Sequence, residues 1–339
     1  MLYGNVTIEA VAYELAPHRI TSESIEAQIS KTLDRIGIKQ GLIEGLTGIR
    51  ERRFWEQGTM PSEVATLAAR KVIEKAGIDK QEIGCLINTS VCKDYIEPSV
   101  ASLVHGNLKL SPFCINYDIG NACLGFLDAM VTLILMIERG MFPYGLIVDG
   151  EGSREVVEAT IKRLQADNVT EKVFRENFAT LTLGSGAVAM LLCHKDISSL
   201  GHVINGSVTR AATEHSRLCF GQKDYMVADA HRVLVHGVEL AHATWQLASK
   251  TLKNWSDGTI DLYVPHQVSA SNMAALNKTL GLTPEKAHLN FYAQGNIGPA
   301  ALPITLAMAE EEGRIRPGNH VALMGIGSGL NCTMMSVTW

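Results

Sequence analysis

Three side chains that can support thioester chemistry stand beside glycine-containing turns or strand ends in this sequence. Cys123 lies in NYDIGNACLGF, where a polar turn meets an apolar segment, His266 follows the stretch IDLYV, and Asn296 lies in QGNIGPA. A thiolate can accept an acyl group, while histidine and asparagine donors can stabilise a developing enolate or oxyanion. A lone cysteine is more often structural, but the three residues together predict a nucleophilic site.

The segment ALMGIGSGLNC is a candidate source of backbone donors. Its glycine-rich part, residues 325–331, follows an apolar strand and can direct the amides of Gly327 and Ser328, with that of Cys123, toward an oxygen. A dinucleotide-binding loop has a similar pattern but should begin a helix. Here LNCTMMSVTW predicts a strand instead, so NAD binding is not expected.

Two sets of landmarks recur 175 positions apart. The Gly-Asn pair at 120 and 121 recurs at 295 and 296, and the pattern Gly-x-Gly-Ser at 150–153 recurs at 325–328. Helical and strand-like segments between these landmarks also correspond. The repeat predicts a duplicated α/β unit with mostly parallel strands, divided into residues 1–198 and 199–339.

Apolar helices predict how the two halves pack. The segment Leu124–Ile137 is apolar nearly all round, and the segment after Asn296 is apolar on more than one face. Such helices must be covered on every side, which favours five layers, αβαβα, with two sheets around the central helices. Cys123 would then lie at the start of a buried helix, where unpaired amides and the helix dipole favour a thiolate.

Composition indicates an ordinary folded protein. The 339 residues carry a net charge of −5 and 46% apolar residues, and no basic run suggests nucleic acid as a partner. Seven dispersed cysteines without a C-x-x-C pair argue against a disulfide framework or a zinc site, and no metal is expected. With no secretory signal and no apolar run long enough to span a bilayer, the sequence predicts a cytoplasmic protein without an integral membrane segment.

At the level of motifs the whole chain resembles the thiolase superfamily, and within it the condensing enzymes related to ketoacyl-ACP synthase III. The segments that carry the resemblance are LTGIRERR at 46–53, LTLGSGAVAMLL at 181–192, the Cys123 turn, PHQ, GNIGPA and GIGSGLNC. The resemblance implies a thiolase fold with two mixed sheets, a homodimer, and a catalytic set of Cys123, His266 and Asn296. It also implies coenzyme A thioesters as substrates and no bound cofactor.

A closer resemblance is to the head-to-head condensing enzymes of bacterial olefin biosynthesis, the OleA type. The segment INTSVCKDYIEPSVAS carries it and places Glu97 26 residues before Cys123. That family joins two long-chain acyl-CoA molecules without decarboxylation to give a β-keto acid. Enzymes acting later in olefin synthesis are therefore candidate partners.

Glu97 is the residue that distinguishes this chemistry. Joining two plain acyl thioesters requires removal of an α-proton, which needs a general base, and a carboxylate in an apolar tunnel has a raised pKa suited to that task. The resemblance implies that Glu97 reaches the active site of the neighbouring subunit. A solvated glutamate before Pro98 is the alternative.

Residues that bind the rest of the substrate are weakly indicated. Arg50, Arg52, Arg53 and Lys172 are basic residues that could contact coenzyme A, although solvated surface charge explains most of them. Phe126 is a candidate tunnel wall and equally a candidate core residue.

Three alternatives remain open at this point. One is a decarboxylating ketoacyl synthase that uses malonyl-ACP, and another is a cysteine-dependent acyl transferase or thioester hydrolase. The third is a catalytically silent subunit, which the presence of Cys123, His266 and Asn296 disfavours.

Overall fold

The computed structural model describes residues 1–339 and contains thirteen strands and twelve α-helices. The strands are β1 Val6–Leu15, β2 His18–Thr21, β3 Glu51–Phe54, β4 Ile83–Asn88, β5 Ile115–Asp118, β6 Tyr144–Glu151, β7 Gly186–His194, β8 His202–Ala211, β9 Cys219–Gln222, β10 Tyr225–Ala228, β11 Leu262–Pro265, β12 His320–Gly327 and β13 Asn331–Thr338. The α-helices are α1 Ser22–Gln28, α2 Ser30–Arg35, α3 Leu42–Thr47, α4 Pro61–Ala76, α5 Val100–Leu108, α6 Gly125–Glu138, α7 Arg154–Leu164, α8 Glu171–Asn177, α9 Ala230–Thr251, α10 Ala270–Leu280, α11 Phe291–Gln294 and α12 Ala301–Glu311. Short 3-10 helices span Lys80–Glu82, Phe178–Thr182, Lys195–Ile197, Thr213–His215, Pro284–Lys286 and Gly298–Ala300.

The order of strands in the main sheet repeats. From one edge the order is β5-β4-β6-β7-β1, followed by β8-β13-β12-β11. In both runs the parallel pair, β4 with β6 or β11 with β12, is followed by antiparallel pairs. An isolated parallel bridge from Tyr263 to Ala287 occupies the place that β5 has in the first run. The topology is therefore that of a duplicated unit.

Two details of the sheet differ from the expectation. Antiparallel pairs outnumber parallel ones, so the expectation of mostly parallel strands is wrong and the sheet is mixed. The link from β12 to β13 is only three residues long, which excludes a parallel crossover. The two runs also join into one sheet of nine strands through two residue pairs, Thr7 with Val203 and Ile8 with His202. The division at residue 198 lies just before β8 and stays a prediction.

The layers follow from which helix faces are apolar. Helices α6 and α12 lie between the two runs of strands and share one buried cluster with both of them. Helices α4 and α5 cover the outer face of the first run, and α9 covers the outer face of the second. This is the predicted five-layer arrangement.

The outer and central helices differ in sequence as the layers require. In α4 the buried residues Val64, Ala68 and Val72 form one stripe, and Gly77 ends the helix with a positive φ of 66°. In α6 most residues are buried, because strands of the first run and the 3-10 helix Gly298–Ala300, which leads into α12, both contact it. No helix of the chain combines the length and the apolar character that crossing a bilayer requires.

Candidate active site

A single large cavity brings residues of both halves together. Its volume is about 2360 Å³, and it is lined by the predicted catalytic residues Cys123, His266 and Asn296 and by Gly327 and Ser328 of the predicted donor loop. The cavity lies at the ends of β6, β11 and β12, where the repeated turns meet the start of α6. Residues up to about two hundred positions apart in sequence thus lie close together in the fold.

A sharp turn presents Cys123 to the cavity. Ala122 adopts a left-handed conformation with φ of 45°, and the amide of Leu124 donates to the carbonyl of Asn121 at 2.9 Å. Cys123 stands two residues before α6 begins at Gly125. The strained residue before the thiol thus directs the side chain out of the helix and into the cavity.

Side-chain hydrogen bonds fix this turn from below. The Asn121 Nδ2 donates to Asp128 Oδ2 of α6 at 2.6 Å, and the Asn331 Nδ2 donates to Asn121 Oδ1 at 3.2 Å. Because Asn331 opens β13, the turn of the first half is tied directly to the second half.

The surroundings of Cys123 favour the neutral form of its thiol. Burial raises the pKa of Cys123 to about 12, and the neighbouring groups of Cys219, Glu151 and Asp149 raise it further, whereas the backbone amide of Cys123 acts in the opposite direction. This differs from the thiolate expected at a helix start. Desolvation and nearby carboxyls outweigh the helix terminus, so acylation needs a proton acceptor.

His266 follows β11 and is held by the neighbouring strand β12. Its amide donates to the carbonyl of Met324 on β12 at 2.8 Å, and only 4% of the residue is exposed. Burial lowers the pKa of His266 to about 4, so the imidazole is neutral. Its Nδ1 is buried without a partner in the protein, and a neutral ring offers one donor and one acceptor.

Asn296 is oriented by three hydrogen bonds. Its amide donates to the carbonyl of Thr182 at 3.0 Å, its own carbonyl accepts from Gly184 at 2.9 Å, and its Oδ1 accepts from the Gly298 amide at 3.0 Å. Because Oδ1 is engaged, Nδ2 remains as the free donor of a residue that lines the cavity. Gly295 is needed here, since a β-carbon at its φ of 69° would lie 2.6 Å from the carbonyl oxygen of Thr182.

The glycine-rich loop lies directly against the Cys123 turn. A β-carbon on Gly327 would lie 3.2 Å from the amide nitrogens of both Cys123 and Leu124. Glycine therefore allows the end of β12 to approach the turn, and Ser328 follows at the cavity wall. The part of these amides in oxyanion binding stays a prediction.

Glu97 lies outside the cavity of its own chain. It is exposed in the loop of residues 89–99 between β4 and α5 and does not line the cavity. Its neighbours Tyr95 and Ile96 do reach the outer part of the cavity, and they are 54% and 101% exposed. A single chain thus does not provide the apolar tunnel expected around this carboxylate.

The weak candidates for substrate contact separate into different environments. Phe126 is 1% exposed, packs in the central core and does not line the cavity, so its core interpretation describes this chain. Arg50 lies outside the cavity with its guanidinium 5.7 Å from the ring centre of Tyr292. Lys172 reaches the cavity rim, 3.8 Å from Glu176.

The other two arginines are structural. Arg52 is fully buried and donates to Ser22 Oγ at 3.1 Å and to the carbonyl of Leu181 at 3.0 Å, so the surface interpretation is wrong for it. Arg53 donates to the carbonyl of Ala16 at 3.2 Å.

Two carboxyl groups of β6 belong to the site region but are not among the residues predicted from the sequence. Asp149 and Glu151 alternate on one face of the strand and are 0% and 5% exposed, and Glu151 lines the cavity. Burial raises the pKa of Glu151 to about 7, and burial with the neighbouring Glu151 raises that of Asp149 well above its usual value. Their signal in the sequence was an acidic pair, D-x-E, at the end of the apolar run LIV.

Comparison with known proteins places this geometry in a family. Residues 251–339 match the family described as 3-oxoacyl-[acyl-carrier-protein] synthase III C terminal. The chain is 44% identical over 339 residues to an acyl-CoA:acyl-CoA alkyltransferase of Xanthomonas campestris pv. campestris, with all of both chains covered. It is 38% identical to an acyl-CoA:acyl-CoA alkyltransferase of Shewanella oneidensis, again over both full lengths. A β-ketoacyl-[acyl-carrier-protein] synthase III of Anaplasma marginale is 31% identical, covering 84% of this chain and 86% of that protein.

The fold has solved counterparts over its whole length. A crystal structure of Xanthomonas campestris OleA with bound lauric acid and lauroyl-CoA superposes with a TM-score of 0.98 at 44% identity, covering all of both chains. Further structures of that protein carry substitutions at one cysteine, one glutamate and one histidine. The predicted thiolase-type fold class is confirmed.

Proposed function

We propose that this chain, which belongs to the acyl-CoA:acyl-CoA alkyltransferase family, joins two fatty acyl-CoA molecules by Claisen condensation without decarboxylation. The product is a β-keto acid, a precursor for olefin synthesis. The observation that carries the proposal is a thiol, a neutral imidazole and a free carboxamide donor in one cavity. At about 2360 Å³ that cavity is larger than the ~300–1,000 Å³ typical of small-molecule pockets.

The first half-reaction transfers one acyl chain to Cys123. The thiol gives its proton to the neutral His266, the thiolate attacks the thioester carbon, and the bond to the coenzyme A sulfur breaks. The departing coenzyme A thiolate takes the proton back. Amides of Cys123, Gly327 and Ser328 would hold the transient oxyanion.

The second half-reaction forms the carbon–carbon bond. A second acyl-CoA enters, and Glu97 of the neighbouring subunit removes its α-proton. His266 and Asn296 Nδ2 donate to the enolate oxygen. The enolate carbon attacks the carbonyl carbon of the Cys123 thioester, the carbon–sulfur bond breaks, and the departing thiolate takes the proton that Glu97 removed. Hydrolysis of the β-ketoacyl-CoA then gives the free acid.

Supply of Glu97 by a second copy of the chain is supported by the exposed surface. The loop around Glu97 exposes Val91 and Ile96, and the region of the edge strand β5 exposes Phe113 by 90% and Ile115 by 43%. Apolar patches and unpaired strand edges of this kind are usually covered by a partner. The glutamate and the cysteine substituted in the Xanthomonas structures also have the same sequence separation as Glu97 and Cys123.

A decarboxylating synthase is the second candidate. Residues 251–339 match a ketoacyl synthase III family and the Anaplasma relative is such a synthase, but the relatives aligned over the whole chain, at 44% and 38% identity, are acyl-CoA:acyl-CoA alkyltransferases, so this candidate is not favoured. Such an enzyme obtains its carbanion by loss of carbon dioxide from malonyl-ACP and does not need Glu97. The cysteine-dependent acyl transferase differs from both because it forms no carbon–carbon bond.

The deciding experiment incubates the protein with myristoyl-CoA alone, with mass spectrometry of protein and products. We expect an acyl adduct on Cys123 and a long β-keto acid or its derived ketone. In Glu97→Gln the adduct should persist while the product falls by about 10²-fold or more, the usual contribution of a general base. Glu74→Gln, an exposed position on α4, is the matched control. Condensation only after addition of malonyl-ACP would overturn the proposal.

The cellular setting stays a prediction. All seven cysteines are unpaired, which suits a reducing compartment such as the cytoplasm. Partnership with enzymes acting later in olefin synthesis also stays a prediction.

A further inference from the structure

The loop of residues 89–99, which carries Glu97, is tied down near its base and exposed at its tip. On the outer side Asp118 accepts from the Lys93 ammonium at 2.7 Å and from the Ala101 amide at 2.9 Å. Asp94 accepts from the amide and hydroxyl of Ser62 at 3.0 and 2.6 Å. The tip, residues 95–98, is exposed by contrast.

The tie on the inner side is Glu151. Its Oε1 accepts from the amide of Val91 at 2.6 Å, and its Oε2 lies 3.4 Å from the amide nitrogen of Cys92. Two successive backbone amides thus point at one carboxylate. A carboxyl group turns one oxygen toward each amide, whereas a carboxamide would turn its NH2 group, a donor, toward one of them.

Glu151 also lies beside the turn that carries Asn296, the proposed donor to the enolate. A β-carbon on Gly298 would lie 3.6 Å from the Glu151 carboxyl carbon, and the Gly298 amide orients the Asn296 side chain. No lysine, arginine or histidine lies within ion-pair distance of Glu151. Burial of a carboxyl without a neighbouring cation lowers the stability of the fold, so stability does not explain why Glu151 is at this position.

We propose that Glu151 is a positioning residue that sets the loop carrying Glu97, and so tunes the active site of the neighbouring subunit from within its own. The inference rests on the proposed function, in which Glu97 acts across the dimer. Loss of the carboxylate frees the amides of Val91 and Cys92, and the loop tip loses its fixed direction. Acylation of Cys123 does not use this loop, whereas condensation does.

Mixed dimers distinguish an effect of Glu151 on its own active site from an effect on the active site of the neighbouring subunit. The control dimer pairs a wild-type subunit with a Cys123→Ala subunit, so one nucleophile remains and its base comes from the Cys123→Ala chain. Glu151→Gln is then placed either in the subunit that bears the nucleophile or in the subunit that donates Glu97. Both dimers are purified with two different tags and given myristoyl-CoA, and the acyl adduct and the condensed product are quantified separately.

We expect condensation to be at least about tenfold lower when the substitution is in the subunit that donates Glu97 than when it is in the subunit that bears Cys123. Acylation of Cys123 in the other subunit should stay normal. Glu151→Asp in the same place should recover part of the loss. An equal loss in both arrangements, or a loss that follows the subunit bearing Cys123, would show that Glu151 acts on its own site and would overturn the inference. If the control dimer itself makes no carbon–carbon product from acyl-CoA, the proposed function fails, and the inference with it.

A second variant covers the case in which Glu151→Gln does not fold. Val91→Pro deletes the amide donor on the exposed loop and leaves the carboxyl in place. It should give the same dependence on the subunit that donates Glu97, and its failure to do so would count against the inference equally.

Discussion

The two halves place an asparagine at the same point of the same turn, and they use it differently. Both oxygen and nitrogen of the Asn121 side chain are occupied, by Asn331 and by Asp128. In Asn296, which stands 175 positions later, only the oxygen is occupied and the nitrogen is free toward the cavity. The first turn holds a nucleophile in place, and the second offers a donor.

The strands beside these turns differ in the same way. At the end of β6 the first half has Asp149 and Glu151, and at the corresponding positions of β12 the second half has Met324 and Ile326. All four residues are largely buried or line the cavity. The same backbone pattern in both halves thus places ionisable side chains at the end of β6, the ionisable wall, and apolar side chains at the end of β12, the apolar wall.

The largest effect should separate the two asparagines. Asn296→Ala removes the free donor, and we expect condensation to fall about 10²–10³-fold, as for other lost oxyanion donors, with the acyl adduct on Cys123 retained. Asn121→Ala should instead lower the free energy of unfolding by about 1–2 kcal/mol through two lost hydrogen bonds. Product formation and thermal melting are measured for both. Equal losses of activity with unchanged stability would remove the contrast.

The two walls should differ in how stability depends on pH. The pKa of Glu151 is raised from about 4.5 to about 7 in the fold, so its stabilising contribution is complete below pH 4.5 and is lost as pH rises through 7. Relative to Glu151→Gln, wild-type protein should lose on the order of 2–3 kcal/mol of unfolding free energy over this range.

Denaturant unfolding from pH 4.5 to 8 tests this expectation. Ile326→Leu, at the corresponding position of β12, serves as the control without a titratable group. If wild-type protein and Glu151→Gln show parallel curves, the carboxyl is not held in its neutral form.

The smallest difference between the two halves concerns Gly150 and Gly325, which stand between these pairs of residues. A β-carbon on Gly150 would lie 2.3 Å from the backbone oxygen of Pro61, whereas on Gly325 it would meet only the side-chain ends of Leu124 and Leu127, both at 2.6 Å. Backbone cannot yield as side-chain ends can. Gly150→Ala should therefore cost about 2–3 kcal/mol and Gly325→Ala about 1 kcal/mol, within the range for overpacked sites. Urea unfolding gives both values, and the reverse order would contradict this account.

Glycine and asparagine made much of the site predictable from the sequence. Tight turns need such residues locally, so the spacing of Gly120, Gly150, Gly295 and Gly325 records the repeat without knowledge of long-range contacts. The central position of the long apolar helix after Cys123 could also be predicted, because a helix with no polar face must be buried on every side.

Properties that depend on what surrounds a group could not be read in the same way. The recognisable feature of the segment that contains Glu151 is its glycines, which mark the repeat. Glu151 is buried by β7 and by the loop of residues 89–99, which are distant in sequence. For the same reason the Cys123 thiol was expected to be ionised. Its position at a helix start could be recognised in the sequence, whereas its burial and the nearby carboxyls, which oppose ionisation, could not.

Covalent duplication has a consequence for symmetry. Two identical units related by a true twofold axis would have to place the same residue at corresponding points of both turns, so a second cysteine would stand where this chain has Gly298. Joining the units into one polypeptide, with β1 beside β8, lets each copy of the turn change independently. The pseudo-twofold axis that survives in the strand order is therefore an inherited frame on which asymmetric chemistry could be built.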